Sequence, residues 1–140
     1  MSLSDEERDA VVFYRIQKAK DTLKEAIGIA QLNYWNAVTN RLYYACYYIT
    51  SALLIKNGYN AQTHSGVIRL LGLHFVTTAI VAKEQSKLYS KLFEMRQTGD
   101  YDDLYNLTEE DVKPLIEPAK LYIQEIESLL TNQSANNSFA

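Results

Sequence analysis

Arg96 stands where the apolar pattern of its segment requires hydrocarbon. At a helical 100° per residue, Leu88, Leu92 and Met95 fall within about 60° of one another, Tyr89 and Phe93 extend the same sector, and Arg96 projects into its middle. A guanidinium keeps its proton in a protein, so burying it is costly unless carboxylates or carbonyls meet it. Two chemistries fit. Asp100, one turn on, could close a buried or interface salt bridge, or Arg96 could face a polar cleft and take a phosphate, whose oxygens its planar fork meets with two parallel hydrogen bonds. A carboxylate accepts the same fork, so spacing leaves both readings open.

A second group of polar atoms comes from Asn40 to Tyr48, where Arg41, Tyr43, Tyr44, Tyr47 and Tyr48 crowd two and a half turns of expected helix. Trp35, Val38, Leu42, Ile49 and Leu53 form one apolar sector, and Ala37, Tyr44, Tyr48 and Ile55 a second on the far side. A helix apolar on two sides belongs in the middle of a bundle, or between a bundle and a partner chain. Asn40, Arg41 and the tyrosine hydroxyls then enter a buried zone where polar atoms need partners. The cluster packs a core or interface, or part of it stacks a base; Arg41, Tyr44 and Tyr48 are the binding candidates.

His64 and His74 are the two histidines, and neither sits in a carboxylate pattern with metal-ligand spacing, so no metal centre is expected. There is no Gly-rich phosphate loop, and no cofactor is expected. His64, at an expected helix start, caps or packs, or joins Arg96 in binding a ligand.

The elements that must position these groups are helices. Long segments repeat apolar residues every three to four positions, with five glycines and two prolines in 140 residues. Ser4 followed by Asp5, Glu6 and Glu7 opens a first helix to about Ala30, with Ile16, Ala19, Leu23, Ala26, Ile27 and Ala30 inward. Asn33 interrupts the pattern, and a second helix spans about Tyr34 to Lys56, stopped by Asn57-Gly58. A loop from Tyr59 to Thr63 leads to a third helix carrying Val67, Ile68, Leu71 and Phe75, which breaks or bends near Thr77. The fourth runs from about Ala82 to Thr98 and stops at Gly99, before an acidic, aromatic loop from Asp100 to Tyr105. Thr108 and Asp111 make a capping box for the last helix, whose regular part begins as late as Pro114 because Pro114 and Pro118 each lack a donor. Residues 1–130 form one all-α bundle of four to five helices in up-and-down order, and the polar segment 131–140 is expected to be disordered.

Charge and composition narrow the function classes. The net charge is −3 and the basic residues are scattered, so no general electrostatic affinity for nucleic acid is expected; no DNA partner is expected, and RNA would need a local groove. Cys46 is the single cysteine and lies in an apolar run, which reads as a small buried hydrophobe in a reducing compartment. No export leader precedes the first charged segment, and no apolar run approaches the roughly 18 residues of a membrane span. A cytoplasmic protein without membrane contact is the expectation.

In order, Trp35-Asn36-Ala37-Val38-Thr39-Asn40-Arg41-Leu42-Tyr43-Tyr44-Ala45, Thr63-His64-Ser65-Gly66-Val67 and Arg96-Gln97-Thr98-Gly99-Asp100-Tyr101 resemble landmarks of the HEPN family. The resemblance covers roughly residues 10 to 130 and is strongest to small stand-alone prokaryotic members with an Arg-Tyr-Tyr-Ala-like signature. It implies a helical bundle, an antiparallel homodimer and a minimal nucleotidyltransferase partner, in toxin–antitoxin or defence systems that include ribonucleases. It also implies a motif of Arg, four to six residues, then His, meeting its copy across the dimer groove. Arg96 matches the arginine and Asp100 the polar residue within the motif, but Tyr101, Asp102 and Asp103 stand where the histidine belongs. Tyr101, titrating near 10, serves poorly as an acid or base near neutral pH. The expected function is therefore a non-catalytic or weakly catalytic module binding nucleotide or RNA phosphate, or a nucleotidyltransferase. The alternatives are a metal-independent ribonuclease toxin using Arg96, Asp100 and Tyr101, and a purely structural dimer subunit.

Overall fold

A computed structural model describes the backbone of residues 3–101 and 106–139, and the side chains of residues 3–98 and 106–131. Among these residues the chain is helical, with no strand. Helix α1 spans Asp5–Ala30, α2 Trp35–Lys56 and α3 His64–Leu71, the last continuing as a π-turn over Gly72–Val76. Helix α4 spans Lys83–Tyr101, α5 Glu109–Val112, and α6 Ile116–Phe139 after a 3₁₀ turn at Lys113–Leu115.

Local chemistry sets the helix ends. Ser4 and Glu7 form a reciprocal capping box at α1. Thr63 caps α3 by accepting from the Gly66 N–H, and Thr108 and Asp111 close the box at α5. Asn33 takes the left-handed conformation at φ 63° that turns the chain from α1 into α2, and Gly58 does the same at φ 82° after α2. Pro114 sits in the 3₁₀ turn and Pro118 in the first turn of α6, where backbone donors have no intrahelical acceptor to give up.

Helix α2 is the axis of the bundle. Val38, Leu42, Ala45, Cys46, Ile49, Ala52 and Leu53 are fully buried, and α1, α3, α4, α5 and α6 all pack on α2. Its buried threonine hydroxyls are satisfied inside the fold: Thr39 and Thr50 donate to the carbonyls one turn back, and Thr50 also bonds the buried Tyr122 hydroxyl of α6 at 2.6 Å. The second apolar sector is only partly covered within one chain. Ala37 is exposed, and Tyr44, Tyr48 and Ile55 are half-buried.

Two sequence expectations are corrected here. Ile27 is exposed, because the buried stripe of α1 is centred on Val12, Ala19, Thr22, Leu23 and Ala26, the line that faces α2. Ile16 and Ala30 flank that stripe half-buried. Gly99 does not stop α4, which continues to Tyr101; one glycine costs a helix only about 1 kcal/mol and does not end it unaided. Residues 102–105 of the expected acidic loop lie outside the described residues, as do the side chains of Asp100 and Tyr101. The backbone of α6 runs to Phe139, while the side chains of 132–140 are outside the described set, so disorder over 131–140 stays an expectation.

Candidate functional site

Three helices bring one group of polar side chains together at the edge of the tyrosine cluster. From α2 comes Tyr43, fully buried, with Tyr44 and Tyr47 half-buried beside it. From the first residue of α3 comes His64, whose Nδ1 lies 2.5 Å from the Tyr43 hydroxyl and whose ring stacks on Tyr47 at 4.4 Å between centroids, 12° from parallel. From α4 comes Arg96, half-buried, its Cζ 5.7 Å from the Tyr43 centroid and 5.2 Å from that of Tyr44. Phe93 and Tyr89, one and two turns earlier on α4, pack their rings 5.8 and 5.9 Å from Tyr43 and close the floor.

The local fold explains each position. Tyr43 and Tyr47 are one helical turn apart, so their rings line up along α2 and present a flat wall to the start of α3. Thr63 supplies the cap of α3, which leaves the His64 side chain free to turn inward onto that wall. On α4, Tyr89 and Leu92 are buried against α2, and the helical repeat then places Arg96 over the aromatic edge. The guanidinium lies near two ring π-systems, an arrangement that stabilises the cation without removing its hydrogen-bonding edge.

Burial, and then the nearby Arg96 charge, hold the His64 pKa below the usual histidine value, so the ring is neutral at pH 7. Burial, the leading cause, pushes the Tyr43 phenol well above its usual range, and it keeps its proton. A buried hydroxyl needs an acceptor, and Nδ1 of a neutral imidazole is one; Tyr43 therefore donates to Nδ1 and the ring carries its hydrogen on Nε2. Tyr89 is almost wholly buried, and its pKa is likewise raised, by burial first and then by its neighbour Tyr43. The site thus offers a fixed cation at Arg96 and a neutral N–H donor at His64, both beside apolar ring faces. That combination suits a phosphate oxygen. No group of His, Cys, Asp or Glu among the described residues could hold a metal ion.

Arg41, Tyr44, His64 and Arg96 share this patch. Arg41 lies with Cζ 5.3 Å from the Tyr44 centroid, and is tied by Nη1 to Glu25 at 3.3 Å and by Nε and Nη2 to the Asn40 side chain. Tyr48 stands one turn further along α2, 6.0 Å from Tyr44. Asp100 and Tyr101, the remaining candidates, have no described side chains. Sequence reasoning missed Tyr43 and Tyr47 as the residues that orient His64. Their spacing of one turn, with Tyr43 at the boundary of the buried sector, was the available signal. His74, by contrast, makes a separate pairing, stacked on Tyr59 at 4.0 Å. Cys46 is fully buried and its pKa is raised by that burial, which makes it a core residue and not a nucleophile.

Comparison with known proteins bears on the same residues. A family model described as the HEPN domain matches residues 12–129. A protein of Thermotoga maritima called a UPF0332 protein is 36% identical over 124 residues, 89% of this chain and 94% of the relative. A Methanocaldococcus jannaschii protein bearing the name "putative toxin" is 24% identical over 119 residues, 85% of this chain and 81% of the relative. Among solved structures, TT1696 from Thermus thermophilus superposes with a TM-score of 0.71 at 16% identity, covering 84% of this chain and 96% of that one, a likeness of fold.

Proposed function

The chain belongs to the HEPN domain family, and on that premise we propose that it is the phosphate-binding, homodimeric half of a toxin–antitoxin pair. The observation that carries the reading is the meeting of Arg96 and His64 on the Tyr43–Tyr44 rings, a fixed cation and a neutral N–H donor side by side. Its ligand is the phosphate of a nucleotide or of RNA. The names of the Methanocaldococcus relatives support a toxin–antitoxin setting, and a minimal nucleotidyltransferase is the proposed protein partner. The half-covered face of α2, with exposed Ala37 and half-buried Tyr44, Tyr48 and Ile55, supports pairing of two chains there. The proposed compartment is the cytoplasm; no helix of the described residues is long and apolar enough to cross a membrane.

One observation favours a second reading, a metal-independent ribonuclease. The missing motif histidine leaves the sequence without an acid or base beside Arg96, yet the fold brings His64 to that arginine. A neutral imidazole near a phosphate-binding arginine is suited to proton transfer. The test is one preparation with two readouts. Wild type and His64→Ala are titrated with a fluorescent single-stranded RNA in chelator, and the same mixtures are run for cleavage products. Binding without cleavage supports the module; cleavage that disappears in His64→Ala supports the ribonuclease; neither binding nor cleavage by wild type overturns both.

A further inference from the structure

We propose that Arg15 and Lys18, held over the ring of Tyr48, form a second phosphate subsite, so that the site takes a single-stranded oligonucleotide and not a mononucleotide. The proposal rests on the phosphate-binding reading of Arg96 and extends it along the molecule. The Tyr44 ring that carries Arg96 and Arg41 is followed, 6.0 Å on, by Tyr48. There the neighbouring helix α1 contributes two cations to one ring: Arg15 Cζ lies 5.7 Å and Lys18 Nζ 6.0 Å from the Tyr48 centroid. Both side chains are half-buried, lying along the α1–α2 seam.

The distribution of charge singles these two out. Along the same seam Arg41 is paired with Glu25, and Lys56 with Asp9. Arg15 and Lys18 form no ion pair among the described residues. Two like charges brought to one ring repel, and the ring's quadrupole offsets only part of that cost. An anion shared between them relieves the repulsion outright. The steps from Arg96 to Tyr44, from Tyr44 to Tyr48 and from Tyr48 to Arg15 are each between 5.2 and 6.0 Å. A ligand with one phosphate cannot reach both ends, whereas a strand with several phosphates can, with the exposed Tyr14 one turn before Lys18 as a surface for a base.

The experiment uses the full chain, two ligands and a salt series. The ligands are adenosine 5′-monophosphate and a single-stranded RNA of about ten nucleotides, within the roughly 4–16 nucleotides that one small binding module covers. The double variant Arg15→Gln/Lys18→Gln keeps much of the side-chain length over Tyr48 while removing charge. It should bind the RNA several-fold more weakly, with the slope of log K against log salt shallower by about 0.7 for each phosphate no longer neutralised, and bind the mononucleotide as wild type does. The charge-preserving pair Arg15→Lys/Lys18→Arg should retain RNA binding. Wild-type RNA affinity and slope in the Gln variant, while Arg96→Ala loses both ligands, would sink the second subsite and leave the Arg96 reading standing. Equal loss of both ligands in the Gln variant, or no retention in the charge-preserving pair, would show a role in shape and overturn the proposal. Arg96→Ala binding both ligands normally, or wild type binding neither, would remove the parent reading and this one with it.

Discussion

Replacing Arg96 with alanine separates the phosphate site from a structural ion pair, because the two predict opposite balances of stability and affinity. In the fold the guanidinium lies near two rings, Tyr43 and Tyr44, at 5.7 and 5.2 Å. At about 0.5–1 kcal/mol for each such contact at a partly accessible site, Arg96→Ala should cost about 1–2 kcal/mol of stability in a urea titration. Breaking a buried salt bridge would cost roughly 3–5 kcal/mol, since one charge is left stranded. A hydrogen bond to a charged group is worth about 1.5–3 kcal/mol, so removing the bond to phosphate should weaken RNA or nucleotide binding by roughly 10- to 150-fold. The same variant should raise the His64 pKa toward the ordinary histidine value, because the Arg96 charge is one of the two causes that depress it. That shift is read directly from the imidazole resonances in an NMR pH titration. A stability loss near 3–5 kcal/mol with unchanged affinity would refute the phosphate site, and an unmoved His64 titration would refute the proximity of the two side chains.

Three further outcomes are expected. Sedimentation at micromolar concentration should give about twice the 16.0 kDa chain mass, and a strictly monomeric species would exclude pairing through the open face of α2. Because the folded His64 pKa lies below its unfolded value, the unfolded chain takes up the proton first as pH falls. Stability should therefore be full above about pH 6.5 and decline below it until the folded ring also protonates; this increment should be missing in His64→Gln when both are melted across that range, with Tyr43, Tyr44, Tyr47 and Arg96 as the groups facing the ring. Tyr101→His restores an Arg, four residues, His spacing and should raise metal-free cleavage of single-stranded RNA above wild type by up to the roughly 10²–10⁴ that acid–base help supplies; no gain in a folded variant would mean that the spacing alone does not rebuild the activity.

What could be read from the sequence followed local rules. The boxes at Ser4 and Thr108, the cap at Thr63 and the left-handed Gly58 each depend on residues within one turn of one another, and each is where the residue types indicate. Ile27 misled because a helical stripe has two edges, and the partner helix decides which edge is covered; α2 lies over Thr22 and Ala26, which leaves Ile27 outside. Gly99 misled because a glycine weakens a helix more often than it ends one. The site itself was half legible. Arg96, Arg41, Tyr44, Tyr48 and His64 stood out as residues in the wrong company, but the contact between Tyr43 and His64 spans 21 positions and no periodicity within one helix encodes it.

The distribution of charge shows most clearly how the fold changes a reading. A net charge of −3 with scattered basic residues argues against a general affinity for polyanions. Screening at physiological salt, however, extends only about 8 Å, so an anion responds to the charges beside it and hardly to the total. Residues 15, 18, 41 and 96 are scattered in sequence and gathered in space, because the Tyr44 and Tyr48 rings on one face of α2 draw a cation from α4, one from α2 and two from α1. Arg41 meets its carboxylate, Glu25 near the end of α1, at 3.3 Å. Other acidic residues are engaged away from the strip, in helix caps at Glu7 and Asp111 and in pairs such as Lys20 with Glu127 across to α6. A globally acidic chain can therefore present a locally cationic aromatic strip, and its affinity for a phosphate chain should fall steeply with salt even though its net charge has the wrong sign.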